Sequence, residues 1–171
     1  MTQIIPVTMM MAITIDGKIA KNDAHFPNWT SKEDKKIFAK ISKQHKVIIM
    51  GEKTFLTFST PLKDRLNFIF SFKKNKISHN NVVYFSGNPI DALKKIKNMG
   101  YKSALLGGGA IINSLFLKYK LINEIILTIE PKIFGKGISL FNEENEIDLK
   151  LKKILKINKN SILIKYNVNY D

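Results

Sequence analysis

Short apolar runs of strand length alternate along this chain with segments of helical period, and no repeat, low-complexity tract or linker interrupts the alternation. Strands that alternate with helices must bury both faces, so this order restricts the chain to an α/β architecture with helices on both faces of a central sheet. The apolar periodicity predicts strands at 6–15, 47–50, 66–70, 82–85, 104–106, 124–130, 153–157 and 162–169, and helices at 32–44, 53–58, 89–99 and 110–119. Asn88-Pro89 supplies an N-cap followed by proline at the first helical position, and Gly100 offers a left-handed stop for that helix. Ile90, Leu93 and Ile96 give it one apolar face. The final strands follow each other through Asn158-Lys159-Asn160-Ser161 with no helix between them, which predicts a mixed, mostly parallel sheet ending in a C-terminal antiparallel hairpin.

At 171 residues the chain lies near the ~150-residue prior for one domain, so a single domain over 1–171 is expected. It contains no cysteine, which excludes disulfides, thiolate catalysis and cysteine-ligated metals and leaves the cytosol as the default compartment. The apolar start, 4–15, lacks a basic n-region and runs straight into Asp16-Gly17-Lys18, so it reads as a buried strand and not as a signal peptide. No apolar run approaches the ~20 residues of a membrane-spanning helix. A soluble, cytoplasmic protein with no membrane contact is expected.

The formal charge of +14 raises the question of nucleic acid, because clustered cations bind phosphate backbones through counterion release. Here 28 basic residues, almost all Lys, are spread from end to end at the polar positions of amphipathic elements, such as Lys35, Lys36, Lys94, Lys95 and Lys97. Aromatics do not interleave with them as stacking platforms require. The reading is a lysine-rich solvated surface and no nucleic-acid partner, with steering of an anionic ligand left open. His25, His45 and His79 show no ligand spacing and no acidic cluster accompanies them, so no metal is expected.

Asp34 shares a helical face with Ile37, Phe38 and Ile41, at spacings of three, four and seven. A carboxylate on a buried stripe is desolvated, its pKa rises, and it becomes a usable proton donor near neutrality. The alternative is structural: Ser31 as N-cap and Asp34 at N3 form a capping-box-like arrangement. Gly107-Gly108-Gly109 follows a strand and opens a helix, so its amides can face a diphosphate, or it is simply a tight turn. It lacks the full G-x-G-x-x-G fingerprint, because Ile112 stands at the last glycine position. Arg65 is scarce in a chain that favours Lys, which marks either a planar, two-pronged anion contact or a surface cation after a turn.

Trp29-Thr30-Ser31-Lys32-Glu33-Asp34, followed by Phe38, resembles the dihydrofolate reductase stretch in which a tryptophan precedes the catalytic acid by five positions and a phenylalanine follows it by four. Met50-Gly51-Glu52-Lys53-Thr54-Phe55 resembles that family's cofactor loop, and the segment from Pro61-Leu62 through Arg65 and Asn67 to Ser71 resembles its Pro-Leu-Pro-Gly-Arg-x-Asn-hydrophobic strand. The second half leans toward a cousin of the same fold. Gly107 through Leu115, Leu121-Ile122-Asn123-Glu124, Pro131 to Gly137, and Ile15-Asp16-Gly17-Lys18-Ile19-Ala20 are similar to the reductase domain of riboflavin biosynthesis.

The resemblance implies a dihydrofolate reductase-like three-layer fold and NADPH as hydride donor. It implies reduction of 7,8-dihydrofolate to tetrahydrofolate with Asp34 assisting protonation; the alternative is a riboflavin-biosynthesis reductase acting on 5-amino-6-(5-phosphoribosylamino)uracil. Met10, Met11, Ala12, Phe38, Leu62, Leu106 and Thr128 would then line the substrate pocket, with Arg65 on the substrate's distal carboxylate. Thr128 would hydrogen-bond near the acid; as a β-branched strand residue it has an ordinary reading too. Ala12, Ile19, Gly51, Lys53, Thr54, Ser71, Lys73, Gly107, Gly108, Gly109, Ala110 and Ile111 would meet the cofactor, and the loop from Ala20 to Asn28 would close over nicotinamide as a lid. Glu52 and Ala110 depart from the family at positions that often carry a base for the adenosine 2′-phosphate, which opens the choice between NADPH and NADH. The partner is a small molecule of dihydropterin type, and assembly is monomeric or homodimeric.

Overall fold

The computed structural model describes residues 4–72, 77–78, 80–144 and 146–170. Its strands are β1 (Val7–Thr14), β2 (Lys18–Ala20), β3 (Val47–Gly51), β4 (Leu66–Phe70), β5 (Val82–Phe85), β6 (Ala104–Leu106), β7 (Glu124–Glu130), β8 (Ile138–Ser139), β9 (Leu149–Lys156) and β10 (Ile162–Val168). Its α-helices are α1 (Lys32–His45), α2 (Glu52–Phe55), α3 (Pro89–Asn98) and α4 (Ala110–Lys118), with a 3-10 turn at Pro27–Trp29. An eight-stranded sheet runs in the order β5-β4-β3-β6-β1-β7-β10-β9, and β2 pairs with β8 apart from it. Every pairing from β5 across to β7 is parallel, while β10 is antiparallel to both β7 and β9. This is the mixed, mostly parallel α/β sheet with a C-terminal antiparallel hairpin that the alternation of runs predicts.

The side-chain alternation of the central strands sorts the core into two layers. Met10, Ile48, Met50, Ile69, Leu105 and Ile126 face α1 and meet its Ile37, Phe38 and Ile41. Val7, Met9, Ile49 and Phe68 face the other way, onto Leu93 and Ile96 of α3 and Phe116 of α4. Because these strands are covered on both faces, they read as unbroken apolar runs, and this is why β4, β5, β6 and β7 end where the sequence says they should. Phe116 has no exposed surface; truncating such a side chain to alanine costs about 3–5 kcal/mol.

α1 is set by local chemistry. Ser31 caps it by accepting the Asp34 N–H at 3.2 Å, Glu33 and Asp34 occupy the first turn, Lys43 and His45 the last, and Lys46 ends it in the left-handed region at φ 60°. The predicted helix at 53–58 is shorter. Its last residues turn by i→i+3 bonds, Thr57 N to Thr54 O and Phe58 N to Phe55 O, while the Thr57 hydroxyl takes the Thr54 carbonyl at 2.7 Å. One strand boundary differs by more than a residue, and two short strands are additional. β9 begins at Leu149, four residues before the run that signals it, because an edge strand exposed on both faces can alternate Leu with Lys. β2 and β8 are too short for any periodicity to reveal. Among the described residues no helix is long and apolar enough to cross a membrane.

Candidate active site

The C-terminal ends of β1, β3, β4 and β6 open into a cleft of about 1170 Å³, more than one drug-sized ligand fills. It lies where the chain order of the parallel strands reverses, the place at which open α/β sheets bind ligands. Met10, Met11, Ala12, Asp34, Phe38, Leu62 and Arg65 line it, as do Ile19, Gly51, Lys53, Thr54, Ser71, Gly107, Gly109, Ala110 and Ile111. Leu106, Gly108 and Thr128 are buried behind its wall and do not reach the cavity, and Lys73 lies outside the described residues. The apolar rim formed by Phe26, Leu56, Phe58 and Phe72 has no counterpart among the expected residues. No periodic pattern marks it, because its side chains come from three separate stretches, the loop at Phe26, the turn that carries both Leu56 and Phe58, and the chain just beyond the end of β4 at Phe72.

Asp34 is 6% exposed. Burial is the main reason its carboxyl is held above the usual carboxylate range; the Thr128 and Thr30 hydroxyls pull the other way, and the charge of Glu130 adds to the rise. The two readings of Asp34 therefore combine. Its backbone N–H serves the cap while its carboxyl is free of that duty, because the Ser31 N–H that a capping-box carboxylate would take is instead accepted by Glu130 Oε1 at 2.8 Å. Glu130 escapes sequence reading, although its place two residues after Thr128, on the same strand face, is the available clue.

Arg65 is not a surface cation: it is 8% exposed. Nε donates to the Lys63 carbonyl at 2.8 Å and Nη1 to Ser42 Oγ of α1, so part of the guanidinium fork is engaged within the protein. Asp16, Phe134, Trp29 and His25 form the base of the loop Ala20 to Asn28. Asp16 Oδ2 accepts the Gly135 N–H at 2.7 Å, and Phe134 packs edge-on against Trp29 and His25 at centroid distances of 5.1 and 5.3 Å. The loop's outer end is tied across the cleft by the ion pair of Asp23 with Lys53.

At the opposite end of the cleft the glycine turn is held against β3: Gly107 N donates to Ile49 O and Gly51 N to Gly108 O, each at 2.8 Å. Gly108 has φ +88°, and a Cβ there would stand 2.8 Å from the Met11 methyl. α4 starts directly after Gly109, and its first internal bond is Asn113 N to Gly109 O. The amides before that bond have no partner in the helix, and Ala110 and Ile111 line the cavity. The donor set thus fits a dinucleotide diphosphate, with α4's first turn and Thr54 beside Gly109 as its cradle. Toward the β4 end, Ser71 Oγ donates to Glu52 Oε2 at 2.6 Å, so two of the residues expected near the cofactor are bonded to each other.

A family model matches this fold across most of the chain. The protein belongs to the RibD C-terminal domain family, matched over residues 6–68 and 70–163. The uncharacterised protein YwjB of Bacillus subtilis (strain 168) is 26% identical over 153 residues, covering 84% of this chain and 87% of that protein. A putative riboflavin biosynthesis protein from Shewanella sp. PV-4 superposes with a TM-score of 0.79 at 21% identity, covering 96% of this chain and 99% of that one. Dihydrofolate reductase from Enterococcus faecalis, solved with NADP(H) and RAB-propyl, gives 0.72 at 17% identity, with 96% of both chains covered. The solved structures share the fold, and the family model that matches is that of the RibD C-terminal domain.

Proposed function

We propose that the protein is an NADPH-dependent reductase of a C=N bond in a small amino-pyrimidine substrate, of the riboflavin-biosynthesis type, with 5-amino-6-(5-phosphoribosylamino)uracil as the first candidate. The observation that carries the chemistry is Asp34, a buried carboxyl on the wall of the cleft whose surroundings favour its protonated form. Bound NADPH supplies hydride to the imine carbon, leaving NADP⁺. Asp34 holds the matching proton for the imine nitrogen, so that C=N becomes CH–NH with charge and electrons balanced. The first turn of α4, Gly109 and Thr54 hold the diphosphate, and the apolar rim excludes water from the reacting atoms.

A second reading, dihydrofolate as substrate, is favoured by the Trp29, Asp34 and Phe38 spacing and by the apolar rim, which suits an aromatic extension better than a sugar phosphate. Dihydrofolate carries its C=N bond in the pterin ring, and the ribosylamine gains one when its furanose ring opens to the imine, so either brings a C=N bond to the same acid. Supplying each with NADPH and following nicotinamide absorbance separates them: turnover of the ribosylaminopyrimidine phosphate alone supports the first reading, turnover of dihydrofolate alone the second. Turnover of neither removes both.

A further inference from the structure

A second buried carboxylate stands behind the acid, and the chemistry above does not use it. Glu130, the last residue of β7, is 3% exposed. Its Oε1 accepts the Ser31 N–H at 2.8 Å and its Oε2 accepts the Ser161 hydroxyl at 2.7 Å. Ser31 in turn accepts the Asp34 N–H. One run of hydrogen bonds therefore joins the β9–β10 turn, the end of β7 and the first turn of α1. Trp29 and Thr30 separate the main cleft from a smaller open cavity of about 380 Å³, and Glu130, Ser31 and Ser161 line that rear cavity.

We propose that Glu130 is a positioning residue for the reduction: it clamps the helical turn that carries Asp34 and sets a second buried carboxyl group behind the acid. The proposal rests on reading Asp34 as the proton donor. Two neighbouring buried carboxylates do not both ionise cheaply, and the proton resides on the one whose charged form is less well solvated. Glu130 has two hydrogen-bond donors directed at its oxygens. Asp34 is held mainly by burial. The other charged groups around the pair lie outward: Lys35 follows Asp34 on α1 and favours the carboxylate, Glu33 is bonded by Asn158, and Lys132 and Lys159 line the rear cavity as exposed side chains.

Glu130→Gln tests the charge with little change of shape, since the amide oxygen still accepts from Ser31 and the amide nitrogen can donate to Ser161. The readout is the ¹³C-carboxyl NMR titration of Asp34 in the ligand-free protein, together with the pH dependence of kcat/KM. The expected result is an Asp34 midpoint displaced to lower pH, a loss of turnover that sets in at correspondingly lower pH, and a return of both toward the original positions in Glu130→Asp. If Glu130→Gln does not fold, Ser161→Ala carries the test: it removes one of the two hydrogen bonds that anchor Glu130, and the Asp34 midpoint is again expected to move. A midpoint that stays put in the folded variants overturns the proposal. A midpoint that moves in a protein reducing neither candidate substrate upholds the coupling of the two carboxyls and removes the reductase reading instead.

Discussion

The two walls of the cleft are held by different kinds of contact. On the α1 side, Asp34 sits on a capped helix whose first turn is bonded through Ser31 to Glu130 and onward to Ser161, all of it buried or half-buried. On the lid side, the tie between Asp23 and Lys53 joins side chains that are 64% and 71% exposed. The first wall keeps its geometry whether or not a ligand is present, because breaking it strands buried polar groups. The second yields easily, since an exposed ion pair is worth only about 0.2–1 kcal/mol and weakens with salt. A firmly held acid opposite a weakly tied loop suits the proposed reduction, which has to admit two ligands and then exclude water.

The contrast breaks most sharply at Asp34. Asp34→Asn is expected to lower turnover by about 10²–10⁴ at neutral pH, the range a positioned acid supplies, and single-turnover NADPH oxidation reads it. An unchanged rate would take the acid out of the mechanism. Next in size is the glycine turn that supports the far end of the cleft. Gly108→Ala places a side chain at φ +88° and against Met11, and urea unfolding should show a loss of about 1–3 kcal/mol.

A smaller effect sharpens the difference by measuring what the buried acid does to the fold. The folded-state pKa of Asp34 is raised, so the native protein keeps a proton that the unfolded chain releases above about 3.9. Stability therefore falls as pH climbs from that unfolded value to the raised folded one, and stays level beyond it. Asp34→Asn has no such titration. Its melting temperature should gain on the parent protein through that window, with the least advantage in acid. The smallest effect belongs to the lid: Asp23→Asn should change unfolding free energy by less than about 1 kcal/mol and the change should fade in high salt. A larger, salt-independent loss would mean that the lid is as fixed as the opposite wall.

How far the sequence discloses these features depends on where their physical cause lies. β4 through β7 are legible because burial on both faces demands unbroken apolar runs, and Asp34 is legible because three, four and seven are helical spacings. The start of β9 is not, since Leu149-Lys150-Leu151-Lys152 on an exposed edge satisfies no burial pattern. Glu130 looks from its neighbours like a strand-end acid before Pro131; it is buried where the segment before α1 and the β9–β10 turn, both distant in sequence, close over it. Arg65 stands out by its rarity, yet its bond to Ser42 depends on α1 packing beside β4, a contact across 23 positions of sequence.

The place of Ser161 in the chain has one more consequence. On the ribosome the lid, the glycine turn and Asp34 all emerge before residue 161 does, so a nascent chain owns every group that faces the cleft while its acid still lacks the far anchor. The anchor is supplied late, by a hairpin that contributes no side chain to the cleft. A frameshift or proteolytic cut just ahead of that hairpin would remove both the anchor and the strand that pairs with β7.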